Sequence, residues 1–331
     1  MSKRWDPIAI RAKIAEVLPE GKVIPRHNQF GHFYEVRDAH QIGEPLHDSL
    51  GNPNILGPVY PSVTGKLQIL KEQGLADYKM NRALDHIFAN FSKMTEENLM
   101  EIIHDASQVS GGILMDAGDI GTRCHDYREE IFSEWIRDGK PREDFTTIIR
   151  PEDVDVRAQS AMRALQKFCK ENAYIPVACE LLMYSHKLKT AGTLDDIGLM
   201  EKVIREGDPS CSHEGSMTTA TGVTRCLACD RKSELVFVLM DLKTSNQFKD
   251  HYFFQVALYY WMFVQLTGLR PQRCFILKVS KEDGTYKIED LKRPARIAQY
   301  ALALLKTDEG VEFIKGLRKD NQRSVAPKMT L

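Results

Sequence analysis

The 331-residue chain is 43% hydrophobic and 27% charged with a net charge of −1, proportions of a globular protein holding one large or two modest domains. That balance excludes a globally basic nucleic-acid binder, so any hold on phosphates must come from local patches. Every apolar run is broken by Lys, Arg, Asp or Gln before it could cross a membrane. Seven cysteines and no secretory leader point to a reducing, intracellular (cytoplasmic) compartment.

Residues 11–18 read as a short helix ended by Pro19 and Gly21, and recurring Pro and Gly up to residue 60 mark a loop-rich region. Pro61-Ser-Val-Thr64 opens a helical stretch over 65–88, where Ser62 and Thr64 suit either simple capping or an anion site. A further helix starts at Thr95 and runs to the Gly111-Gly112 break. Residues 1–115 are therefore expected to form an N-terminal arm, 116–305 the core, and 306–331 a C-terminal helix and basic tail.

Residues 116–137 read as a helix with His125 and Glu129 one turn apart and the small residues Gly121 and Cys124 available for close packing. An amphipathic helix over 153–170 presents Val154, Ala158, Met162, Leu165, Phe168 and Cys169 inward. A strand over 174–184 contains Glu180. After a turn at 185–188, a second strand contains Gly192-Thr-Leu-Asp195-Asp196. Acids facing each other across such a hairpin repel unless a cation or proton lies between them, and separated carboxylates beside a lysine suit a hard cation such as Mg²⁺.

Between that strand and the next lie Cys211-Ser-His213 and, twelve residues on, Cys226-Leu-Ala-Cys229. Three thiolates and one imidazole at this spacing predict a closed, tetrahedral structural Zn²⁺ site in an insert over 209–232, which organises a polar loop and offers a surface for a protein partner.

The apolar run 235–240 suits a strand buried on both faces. Asp241 and Lys243 follow on one side of it, where the strand reaches solvent. Asp250 is placed to cap a helix bearing His251, Gln255 and Tyr259 on one face. Tyr252, Phe253 and Phe254 beside it suit the core, or base stacking. A strand over 272–280, a turn at 281–284, helices near 294–305 and 309–317, and a basic tail complete the chain.

Taken together, Gly121-Thr-Arg-Cys-His125, Gly192-Thr-Leu-Asp195, Asp241-Leu-Lys243 and Gln255-Val-Ala-Leu-Tyr259 resemble the PD-(D/E)XK nuclease superfamily, in particular its RecB-like branch of phage and mitochondrial exonucleases. The resemblance covers about residues 116–290, and Pro61-Ser-Val-Thr64 looks like the upstream segment of phage members. It implies an α/β restriction-endonuclease-like core, a central mixed sheet flanked by helices, with the zinc-ribbon-like loop inserted. It also implies a Mg²⁺- or Mn²⁺-dependent deoxyribonuclease acting on single-stranded DNA or duplex ends. Asp195, Asp241, the Leu242 carbonyl and His125 would hold the ions, and Glu180 would ligate or hold a water. Lys243 would orient that water or stabilise the phosphate, while Gln255 and Tyr259 position Lys243 and the scissile strand. Two features depart from the branch. Relatives with an iron–sulfur cluster carry its cysteines on both flanks of the core, whereas here they share one insert with a histidine, which favours zinc. The insert also separates Asp195 from Asp241 unusually far, so their pairing depends on its looping out. An endonuclease on the same site, a non-catalytic nuclease-fold module and a zinc hydrolase remain the alternatives.

Overall fold

A computed structural model describes residues 5–28, 31–47, 53–67, 75–95, 97–151, 154–213, 216–219, 223–245 and 248–303. The helix expected at 309–317 and the basic tail lie outside the described residues.

The first helix, α1 (Pro7–Val17), starts earlier than its apolar spacing suggests. Pro7 stands in its first turn and Asp6 caps it by accepting from the Ile8 N–H. The loop-rich segment contains a small antiparallel sheet, β1 (Val23–Asn28), β2 (Gly31–Val36) and β3 (Val59–Pro61). Its organiser is charged: buried Glu35 pairs with Arg26 and with buried Arg37. The two guanidiniums reach the carbonyls of Gln41, Glu44, Pro45, Leu46 and Asn54. This buried network takes the place of apolar periodicity in fixing the loops.

The helical stretch expected over 65–88 is divided into α2 (Val63–Lys66), capped by Ser62, and α3 (Leu75–Asn90). After it, α4 (Leu99–Asp138) runs unbroken for 40 residues, so the Gly111-Gly112 break is absent and the 115/116 boundary falls inside a helix. The two glycines cost about 1 kcal/mol each relative to alanine, which a helix anchored at both ends sustains. Its first turns lie on α3, and Ile120, Cys124, Ile131 and Phe132 are buried in the core.

Next come α5 (Val156–Glu171), capped by Asp155 rather than starting near 153, then β4 (Ile175–Ser185) and β5 (Thr190–Arg205). Val154 accordingly precedes the helix and is exposed, while the rest of the expected inner stripe is buried. The insert holds β6 (Met217–Thr218) and β7 (Val223–Arg225). The chain then forms β8 (Lys232–Lys243), α6 (Asp250–Thr267), β9 (Arg273–Val279) and β10 (Tyr286–Asp290), with a helix over 294–303. Lys249, not Asp250, occupies the N-cap of α6, so the helix begins one residue earlier than expected.

The central sheet is mixed, in the order β10-β9-β8-β5-β4. The β8–β9 pair is parallel, joined by a crossover through α6, and the other pairs on this path are antiparallel. Alternation along β8 divides the core. Val236, Val238, Met240 and Leu242 pack with α4 and α5, and Phe237 and Leu239 pack with α1 and α6. Strands β5 and β8 pair directly, so the insert leaves the sheet without interrupting it.

Two glycines permit close approaches here. A Cβ at Gly192 would lie 2.9 Å from the Tyr259 ring, and one at Gly121 would lie 3.2 Å from the Thr244 hydroxyl. Gly192→Ala should therefore destabilise the protein by about 1–3 kcal/mol through overpacking. Gly121→Ala should be near neutral, because a helix-propensity gain of about 1 kcal/mol offsets a modest contact. Urea denaturation of both variants tests this; equal losses would show that Tyr259 does not press on β5.

Candidate functional site

Register brings the acids together. Asp196 stands opposite both Cys179 on β4 and Met240 on β8. One step along, Glu180, Asp195 and Asp241 therefore occupy one transverse row across three adjacent strands. The β5–β8 ladder ends at the Asp196–Met240 pair. Beyond it the Asp195 carboxylate accepts the Leu242 N–H at 2.6 Å. Leu242 thus enters the site through its amide. Lys243, two residues past Asp241, lies with its Nζ 2.6 Å from Asp241 Oδ2, and Tyr252 covers the ammonium at 5.2 Å from its ring centroid.

Helix α4 supplies the other wall. His125 Nδ1 lies 3.6 Å from Asp195 Oδ1, and one turn on, fully buried Arg128 bonds both Asp196 and Glu180 and approaches Asp195 at 4.0 Å. Ligand atoms of His125, Glu180 and Asp195 lie within 4.8 Å of one another, and this group could hold a metal ion. Asp241 sits beside the group, on the Lys243 side. Asp196 is occupied by Arg128, so Asp195 is the nearer acid to the candidate cation position. Gln255 donates to the Tyr259 hydroxyl at 3.5 Å, and both are buried on α6 behind the row.

Glu180 is held at φ +46°, left-handed backbone inside a strand, which costs a non-glycine residue about 1–2 kcal/mol. Its side chain and that of His125 remain 28% and 29% exposed, which makes theirs the solvent-facing side of the site.

The charges do not balance. Fully ionised, Glu180, Asp195, Asp196 and Asp241 would exceed the two fixed cations, Arg128 and Lys243, by two charges, and burial answers part of that excess by favouring the protonated carboxyls. Asp241 is fully buried, and the Lys243 ammonium, 2.6 Å from its Oδ2, is the charge that answers it. Burial raises Glu180 to about 7, against the pull of Arg128 and helped by the charge of Asp195. Burial likewise raises Asp196 to about 7 and Asp241 to about 6, although Arg128 and Lys243 respectively oppose it. For Asp195 burial also works upward, but His125 and Arg128 outweigh it and hold the carboxyl below its ordinary value. Burial opposes the Lys243 charge, and Asp241 and Asp195 more than offset it, so the ammonium is held above its usual pKa.

Arg128 is the residue that motif reading passes over. Its signal is an arginine inside the apolar stripe Ile120, Cys124, Arg128, Ile131 and Phe132, a position that only paired charge can occupy.

A second cluster lies about nine residues of strand away, on the order of 30 Å, at the other end of the β5–β8 hairpin. Cys211, His213, Cys226 and Cys229 bring their ligand atoms within 4.8 Å of one another, a Cys₃His group consistent with a zinc site. The Cys211–Cys226 sulfur separation of 3.7 Å is far too long for a disulfide and matches the edge of a tetrahedron with Zn–S bonds of about 2.3 Å. His213 Nδ1 lies 3.3 Å from Cys229 Sγ, and hydrogen bonding from His213 leads the effects that bring the Cys226 thiol down to about 6. Among the described residues no helix is long and apolar enough to cross a membrane.

No protein-family model matches this chain, and no curated protein matches it in sequence.

Between the unfolded Glu pKa of about 4.3 and its raised value in the folded protein, Glu180 binds more proton folded than unfolded. Its stabilising contribution is full below pH 4.3 and is lost as pH rises towards 7. In chelator, wild-type stability should therefore fall relative to Glu180→Gln between pH 4.5 and 7.5, by on the order of 1–3 kcal/mol. Parallel stability–pH curves for the two proteins in denaturant titrations would refute the raised value.

Proposed function

We propose that the protein is a divalent-metal-dependent DNA nuclease of the PD-(D/E)XK kind, an exonuclease on single-stranded DNA or duplex ends. The observation that carries this reading is a gathering of more carboxylates than Arg128 and Lys243 can neutralise at the end of β5 and β8, with the ligand atoms of His125, Glu180 and Asp195 within 4.8 Å of one another. A divalent cation with oxygen affinity has the right sign, charge and hardness to answer it. The order of elements supports the same reading: a helix with His125, three antiparallel strands bearing Glu180, Asp195 and Asp241-x-Lys243, then a crossover helix and a parallel strand.

In this reading His125, Glu180 and Asp195 hold Mg²⁺ or Mn²⁺, with Asp241 beside them. When bound, the ion supplies Lewis acidity to a phosphate oxygen and lowers the pKa of water. Glu180, on the solvent side of the site, would ligate the ion or accept a hydrogen bond from the attacking water, whose proton passes to solvent. The water oxygen forms the new P–O bond as the ester P–O bond on the opposite side breaks, and the leaving oxygen is protonated from solvent. Lys243 keeps its charge, which makes it an electrostatic stabiliser of the phosphate in the transition state rather than a base. Arg128 fixes the orientation of Glu180 and Asp196, and Gln255 and Tyr259 form the rigid wall behind Asp241.

The Cys₃His group holds a structural Zn²⁺ that orders the insert. With no open ligand position and about 30 Å of strand between it and the acids, it takes no part in the hydrolysis.

The test uses end-labelled linear and covalently closed single-stranded DNA, with Mg²⁺ or chelator. Linear DNA should be cut by the wild type with Mg²⁺, and Lys243→Ala should lower the rate at least about 100-fold. Activity lost in chelator should return with Mg²⁺ alone. Cutting of closed circles would make the enzyme an endonuclease on the same site, and binding without cutting in Mg²⁺ or Mn²⁺ would overturn the catalytic reading.

For the insert, elemental analysis should find about one zinc per chain in wild type and none in Cys226→Ser. Limited proteolysis of that variant should then cut first between residues 206 and 231. A zinc-free wild type with the same proteolytic pattern would remove the structural role.

A further inference from the structure

The first half of α4 and all of α3 stand apart from the sheet. Helix α3 packs on α4, and the two are joined by a short turn in which Thr95 and Asn98 exchange hydrogen bonds, giving an antiparallel helical hairpin. Its inner seam uses Ala83, Ile87 and Asn90 against Ile102, Ala106 and Val109, which are buried or half-buried.

A second apolar row lies on each helix. On α3 it is Met80, Leu84 and Phe88, and on α4 it is Leu99, Met100 and Ile103. These side chains are exposed, Phe88 by 71% and Met100 by 73%. At about 100° per residue, each row is offset from its helix's inner seam by roughly a quarter turn in the same rotational sense. Because the helices run antiparallel, equal offsets bring both rows out on the same side of the hairpin. Around them on that side stand Asn81 and Ser107. The charged side chains, Arg82 paired with Asp85 and then Glu101 and Asp105, lie elsewhere on the helix circumference.

We propose that this face is the dimer interface of the protein, where two copies join their hairpins about a two-fold axis into a four-helix bundle. Three arguments select a second copy of the chain. Among the described residues the face offers no cation to a nucleic acid or an anionic lipid, and its six exposed apolar side chains, spread over two helices, suit an equally apolar, equally wide partner. The exposed side chains amount to on the order of 700 Å², close to the roughly 800 Å² that each partner contributes to a standard specific interface. A two-helix hairpin also has no second layer against which to bury its outer rows, and an isologous contact supplies one. The proposal is independent of the nuclease reading, since none of these residues reaches the acid row.

Sedimentation velocity and light scattering of the full chain test it. Wild type should weigh twice its 37.8 kDa at micromolar concentration and dissociate on dilution. Phe88→Glu and Met100→Glu, both at exposed positions, should each weaken association at least tenfold while leaving the circular dichroism spectrum unchanged. A wild type that stays monomeric up to about 100 μM overturns the proposal. So does a dimer that both variants leave intact, or a wild-type monomer that floats with neutral phosphatidylcholine vesicles. If a variant fails to fold, the wild-type dilution series still decides.

Discussion

One buried guanidinium joins the two halves of the candidate site. Arg128 reaches from α4 to Glu180 and Asp196 and so links a helix on one face of the sheet to the first two strands of the core. The link acts in one direction only. A single cation cannot neutralise the acids around it, but removing it would leave several carboxylates in a medium that resists charge. The position of His125 depends on the same contact, since it stands one turn away on the helix that Arg128 holds down. The fold therefore concentrates negative charge on the outer side of Arg128, where His125 and Glu180 face solvent.

The parts legible in the sequence were those governed by strict periods or spacings. The six-residue apolar run before Asp241 suited a strand buried on both faces, and residues 236–240 are buried so, while Leu235 at its start is exposed. Once β5 and β8 pair, alternation places Asp195, Asp241 and Lys243 at one end of it. The cysteine and histidine spacing of the insert was equally readable, because metal ligation is a local constraint. Less legible were features set by tertiary charge. Arg128 looks like any helical arginine until the apolar residues above and below it are noticed. Glu35 and Arg37 sit in a segment whose prolines and glycines suggest only loops, yet their burial builds a sheet there. The continuous α4 was obscured for a third reason: two adjacent glycines lower local propensity, and the packing at both ends that overrides them is not written nearby.

The β5–β8 hairpin keeps two metal-type ligand sets apart. Oxygen-rich ligands with charge to spare gather at one end, and soft thiolates that close around a small tetrahedron gather at the other. The same two strands serve both ends because their middle is fully apolar and rigid, from Ile197 and Leu199 to Phe237 and Leu239. On the proposed reading, hard and soft cations would have no common ground on which to compete.

Glu180 carries a further consequence, one for the inheritance of the site. Its backbone demands a conformation that glycine adopts freely and asparagine or aspartate tolerates, while its position demands a carboxylate long enough to meet Arg128. Glycine would relax the strand and delete the acid; aspartate would keep an acid but draw it back by a methylene. No neighbouring amino acid satisfies both demands, so the position has no neutral path out of glutamate.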